Sequence, residues 1–284
     1  MLEPEQQTAR RKSLAEVLKE LRVAAGLSGD RLAVRCAMSQ TKISRIETGK
    51  VLPSVIDVER ILQALEVPEQ VAHGLLDEAR RANVDYASWR AYARIGLWQK
   101  QTEIKALEAA SSVVRQFLPA IPSGLLQTPD YARLTLTPAV KSGPARDVER
   151  AVHARLDRQE VLRDPARRFV FLMPEHAVRW RRAPLAVMAD QVRHMIQLSA
   201  LPNVEIAIIP QDAEVLSAPL NGFVLYDDRL VVIELFSGEV VLRDPRDITH
   251  HDHLFEYFYE HALTGSEATA LLEGVADEFM RLRD

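Results

Sequence analysis

The sequence predicts two domains of different class, an all-α domain followed by an α+β domain with a mainly antiparallel sheet. Three observations carry this expectation. Residues 1–82 hold five short apolar stripes at helical spacing, broken by Gly, Ser and Pro. From Arg168 onward, short β-rich runs alternate with helical stretches. A chain of 284 residues is long enough for two hydrophobic cores. The predicted division is 1–82, a helical connector over 83–122, and 123–284.

In the first domain Leu14, Val17, Leu18 and Leu21 recur at helical spacing, and the segment stops at Gly26. A second helix starts at a Ser28 cap and turns Leu32, Ala33 and Cys36 inward. Only Ala37 and Met38 separate it from Ser39, the cap of a third helix closed by Gly49, which suits a tight corner. Ile43 and Ile46 form the inward stripe of that third helix, whereas Gln40, Thr41, Ser44, Arg45 and Thr48 share the opposite face. An amide, hydroxyls and a guanidinium on one face are the groups that read base edges in the DNA major groove. Leu52-Pro53-Ser54 stops the chain and caps a fourth helix with Val55, Val58, Ile61, Leu62 and Leu65. Val71, Leu75 and Leu76 mark a fifth.

These elements resemble the lambda-repressor-like helix-turn-helix domains of the XRE type. The resemblance covers roughly Ser13 to Ala82. It rests on Leu21-Arg22, Gly26-Leu27, Leu32-Ala33, Ser39-Gln40, Ile43-Ser44-Arg45-Ile46-Glu47, Gly49-Lys50 and Pro53-Ser54, in that order. It implies that Gln40, Thr41, Ser44 and Arg45 contact bases, and that Ser39, Lys42 and Lys50 hold phosphates. It also implies a structural pair, Arg22 with Glu47, tying the first helix to the end of the recognition helix. One departure is Gly29, where the family often has Gln; Asp30 beside it repels phosphate.

The whole chain carries a formal charge of −4, which argues against a general nucleic-acid coating protein. Yet Arg10 to Lys50 holds ten Lys or Arg against four carboxylates, so positive charge collects on the segment nominated for DNA. The single cysteine, Cys36, sits at an apolar helix position and reads as a core residue. No apolar run is long enough to span a membrane and the N-terminus is polar, so the expected compartment is the cytoplasm.

In the connector, Trp89, Tyr92, Ile95, Leu97 and Trp98 suggest packing rather than base stacking. Ile104, Leu107, Ala110 and Val114 predict a helix before the turn at Pro119 and Pro122. Asp147 to Leu162 reads as a helix on Val148, Val152, Leu156 and Val161, with Arg155 and Arg158 on its flank. Strands are expected at Phe169–Leu172, Val204–Ile209, Phe223–Tyr226, Leu230–Phe236 and Glu239–Leu242, the last three consecutive and antiparallel. Helices are expected at Ala186–Leu198, Pro245–Leu263 and Ser266–Leu282. GLLQTPDYAR (Gly124–Arg133), ARLDRQEVL (Ala154–Leu162) and LPNVEIAIIP (Leu201–Pro210) resemble the C-terminal domain of WhiJ-like, antitoxin-like actinomycete regulators, a domain without assigned chemistry. That resemblance covers Trp89 to about Phe279 and implies a small partner protein.

His250, His251, Asp252, His253 and His261 invite a metal reading, but no Cys or HExxH frame accompanies them, so neither metal nor cofactor is expected. Arg179-Trp180-Arg181-Arg182 fits either an anion site or, better, a solvated helix end. Glu234 faces either a pocket or solvent. A Gly-rich phosphate loop, a nucleophile elbow and a frame of paired catalytic carboxylates are all missing, so the chain is not expected to be an enzyme. The expected function is a sequence-specific DNA-binding transcriptional regulator. A homodimer on a near-palindromic operator is expected, because one such unit reads only about four or five base pairs. Control would come from a small-molecule effector or a small partner protein on the C-terminal domain. The alternative is an antitoxin-like protein whose main role is binding that partner.

Overall fold

Three serines punctuate the N-terminal helices. The computed structural model describes residues 4–89, 92, 96–137 and 147–283, with side-chain burial from Leu14 onward. Ile95, assigned above to the connector, lies outside the described residues. Helices α1 (Pro4–Ala24), α2 (Gly29–Arg35), α3 (Gln40–Glu47), α4 (Val55–Ala64) and α5 (Glu69–Ala82) follow one another. The hydroxyls of Ser28, Ser39 and Ser54 accept from the backbone N–H groups of Arg31, Lys42 and Asp57, satisfying donors the first turn leaves orphaned. Gly26 and Gly49, at φ +66° and +67°, take the left-handed conformation past the ends of α1 and α3. Leu14, Leu18, Leu32, Cys36, Ile43, Ile46, Val58, Ile61 and Leu62 close one core.

The chain divides into two compact units, 1–87 with 240–247, and 88–239 with 248–284. The first therefore draws on more than the expected residues 1–82. Strand β1 (Val84–Ser88) lies beside the later residues of β7 (Gly238–Leu242). There the Arg243 N–H donates to the Asn83 carbonyl at 3.1 Å, and the Arg243 guanidinium pairs with Asp85. Asn83 itself is buried, and its amide donates to the carbonyls of Pro53 and Ala79.

Residues 83–122 are not simply a helical connector. They hold α6 (Leu97–Ala109) but also β1 and β2 (Val113–Phe117). Val114, expected at the end of a helix, is a buried strand residue. Its β-branched neighbour Val113 and its place between two strands explain the change.

In the second unit the strand order is β6-β5-β2-β3-β4, where β3 is Arg168–Pro174, β4 Val204–Ile209, β5 Phe223–Tyr226 and β6 Leu230–Leu235. Strands β2, β5 and β6 pair antiparallel, whereas β2–β3 and β3–β4 are parallel. Parallel neighbours need crossovers. Helices α7 (Pro129–Leu136) and α8 (Val148–Gln159) lie between β2 and β3 in the chain, and α9 (Glu175–Arg179) and α10 (Leu185–Ser199) between β3 and β4. Helix α11 (Pro245–Tyr259) stacks Phe258 on Phe117 at 4.4 Å, and α12 (Gly265–Arg283) packs on α10 and β4. The registers put Gln116, Tyr226 and Glu234 on one sheet face, with Phe117 and Phe223 on the other.

Candidate nucleic-acid interface

The α2–α3 corner is closed by the Met38 N–H donating to the Ala33 carbonyl at 2.9 Å, with Ala37 at φ +52°. Ile43 and Ile46 are buried beneath α3, which fixes its rotation about its own axis. Gln40, Thr41, Ser44, Arg45 and Thr48 consequently all face solvent, together with Ser39, Lys42 and Lys50. The structure thus brings every nominated DNA residue onto one exposed stretch. Thr48 differs from the rest, since its hydroxyl donates to the Ser44 carbonyl at 2.7 Å. A Cβ at Gly29 would stand 4.0 Å from the Gln40 amide nitrogen, an ordinary van der Waals contact.

Lys42 has a partner the sequence reading did not assign. Its ammonium lies 2.7 Å from Asp57 Oδ1, while Asp57 Oδ2 accepts from the Ser54 N–H at 3.2 Å. Asp57 is therefore the reciprocal member of a capping box, and the signal was present as Ser54-x-x-Asp57. A phosphate contact from Lys42 must compete with this pair, whereas no ion pair involves Lys50 among the described residues.

Arg22 and Glu47 meet in fork geometry, Nε to Oε1 at 2.6 Å and Nη2 to Oε2 at 2.9 Å. The remaining Nη1 donates to the Leu27 carbonyl at 2.7 Å. The Glu47 hydrogen bond raises the Arg22 pKa further, against the opposing effect of burial. One guanidinium thereby ties α1, the turn before α2 and the last turn of α3.

Elsewhere the outcomes differ. Arg179 pairs with Glu175 and Glu278, so its charge is already met. Among the described residues no group of three or more His, Cys, Asp or Glu could hold a metal ion. His251 instead meets Phe223 edge-on at 5.1 Å. Glu234 shares its sheet face with Tyr226 and buried Val232. Arg155 and Arg158, expected on a helix flank, turn inward, and Arg158 is buried. Their guanidinium ends lie over Gly124, which has no side chain to exclude them.

No helix among the described residues is long and apolar enough to cross a membrane. No curated protein matches the chain. A structure of TrmBL2, an archaeal chromatin protein described as showing a novel mode of DNA binding, aligns at 12% identity and TM-score 0.29, over 72% of this chain and 65% of its own. The chain thus spans less than two thirds of that protein. NucT from Helicobacter pylori aligns at 10% identity and TM-score 0.35, over 64% of this chain and 98% of its own. Both are too distant to indicate a shared fold. Residues 13–74 match a helix-turn-helix domain family, and residues 101–274 match a domain of unknown function, DUF5753. Because that second match spans more than half of the sequence, the chain belongs to the DUF5753 family, with a helix-turn-helix domain at its N-terminus.

Proposed function

We propose that this protein is a sequence-specific transcriptional regulator of the XRE type that binds operator DNA as a homodimer. The observation that carries the reading is the exposed row Gln40, Thr41, Ser44 and Arg45 on a helix locked from behind by Ile43, Ile46 and the Arg22–Glu47 fork. Such a row presents amide, hydroxyl and guanidinium groups to base edges, while Ser39, Lys42 and Lys50 flank it for phosphates. A single helix of this kind reads about four or five base pairs, so two copies on half-sites about one helical turn apart supply the selectivity. The C-terminal unit, like that of WhiJ-like regulators, receives the controlling signal, and no reaction is assigned to it.

Binding sites selected from random DNA and measured by fluorescence anisotropy test the reading. Arg45→Ala is expected to cost about 1–3 kcal/mol on the selected site and to relax preference at one base pair. Lys50→Ala is expected to weaken all DNA alike and to flatten the salt dependence by about one unit, with Lys42→Ala doing less because Asp57 already holds that charge. If Gln40→Ala/Arg45→Ala binds the selected site like the parent, α3 is not the reading helix.

A second reading has one observation behind it. Leu216, Leu220 and Phe236 are almost wholly exposed, large apolar groups of the kind a protein partner covers. An antitoxin-like role would show as protection of these residues in hydrogen exchange when a small partner protein binds, with loss of DNA.

A further inference from the structure

Helix α6 buries polar side chains rather than apolar ones. Its buried residues are Lys100, Gln101 and Glu108, while Thr102, Glu103, Lys105 and Ala106 face water. A helix buries polar groups only where the interior itself is polar. Part of that interior is self-contained: Lys100 pairs with Glu239, and the Tyr92 hydroxyl donates to the same carboxylate at 3.2 Å. The rest is not.

From α8, Arg155 Nη1 donates to Gln127 Oε1 at 2.6 Å and Arg158 Nη1 donates to Gln101 Oε1 at 3.1 Å. Both guanidiniums thus rest on neutral amides. Among the described residues no carboxylate pairs with Arg155, and the buried Nε atoms of both arginines lack hydrogen-bond partners. The nearest anion is Glu108, with Oε2 3.4 Å from Arg158 Nε, and neither of its oxygens is hydrogen-bonded. A Cβ on Gly124 would stand 2.8 Å from Arg158 Nη2 and 3.1 Å from Arg155 Nε, so the two cations converge over one glycine. The platform beneath is held by Gln127 donating to the Pro122 carbonyl, and by Gln159 donating to the carbonyls of Gly124 and Gln127. Burial, with the Arg158 charge adding, lowers the Arg155 pKa to about 9. Two adjacent guanidiniums, pre-positioned and with only Glu108 beside one of them, are the usual arrangement for gripping an oxyanion.

Glu234, on the sheet face shared with Tyr226, is exposed to water. The open cleft on the other sheet face offers nothing comparable, because Arg115 there pairs with Asp252 and Glu256, and Arg168 with Glu205.

We propose that Arg155 and Arg158 form the floor of a binding site for a small oxyanion, a carboxylate or phosphate. This deepens the regulator reading by giving the signal a place and a chemical class, and it is tested without DNA, so its failure leaves that reading untouched. Inorganic phosphate and citrate are each titrated into the full chain at constant ionic strength, following heat and Tm. The expected result is saturable binding of at least one of them, phosphate or citrate alone naming the anion class. Arg155→Met should weaken that binding by about 30-fold or more. Its binding is measured where the variant is folded, since losing the bond to buried Gln127 carries a stability cost of its own, and Arg168→Gln should bind like the parent. Non-specific salt stabilisation would act equally on Arg155→Met. Absence of saturable binding of both anions to the parent overturns the proposal. So does unchanged binding by Arg155→Met.

Discussion

At pH 8, Glu108→Gln is expected to be more stable than the parent by about 3 kcal/mol. Glu108 is fully buried, and burial raises its carboxyl from an ordinary 4.5 to about 7, overcoming the opposing pull of Arg158. A carboxyl with a raised pKa holds its proton more tightly folded than unfolded. The parent is therefore most stable below the ordinary carboxylate pKa, loses stability as pH rises from there to about 7, and changes no further through this group above it. Glutamine mimics the protonated acid at every pH. Urea unfolding of both proteins between pH 5 and 8 should show a widening gap in favour of the variant. A variant less stable than the parent at pH 8 would mean that Arg158 outweighs burial.

Glu47→Ala is expected to cost the N-terminal unit about 3 kcal/mol. It strands the Arg22 guanidinium, whose side chain is only 14% exposed, with the Leu27 carbonyl as its remaining acceptor. Removing both partners, as in Arg22→Met/Glu47→Met, should restore much of the loss, because the stranded charge goes too. A double-mutant cycle by chemical denaturation measures this, and additive losses would show that the fork contributes no coupling. DNA affinity should fall in Glu47→Ala beyond its stability loss, since the fork holds the end of α3.

The helix-turn-helix unit was legible because every local signal agreed. Ser28, Ser39 and Ser54 cap, Gly26 and Gly49 terminate, and Ile43 and Ile46 fix which face of α3 turns out. Strands β4 and β5 were legible for the same reason, as unbroken β-rich runs between turns. The rest depends on tertiary context. Val114 sits where helix and strand patterns overlap, and its strand neighbours decided the outcome. The parallel pairing of β2, β3 and β4 is a long-range outcome, because the capped crossover helices mark their own ends but not which strands they join. Arg155 and Arg158 have the spacing of a solvated flank, and the missing side chain at Gly124 leaves the room in which their guanidiniums converge. Ile104 and Leu107 suggested an apolar inward stripe on α6, but the buried positions are Lys100, Gln101 and Glu108. Local rules break most clearly where the polar interior lies.

The first unit is assembled from two separated stretches, 1–87 and 240–247, so the backbone passes between units three times. A DNA-reading fragment therefore cannot be released by a single cut. Truncation after residue 82 discards Asn83 and Asp85 together with their partner Arg243, and a cut after residue 87 still leaves Asp85 without it. Grafting this helix-turn-helix unit onto another protein would mean carrying the distant eight-residue segment with it, which makes it an interleaved module rather than a detachable one.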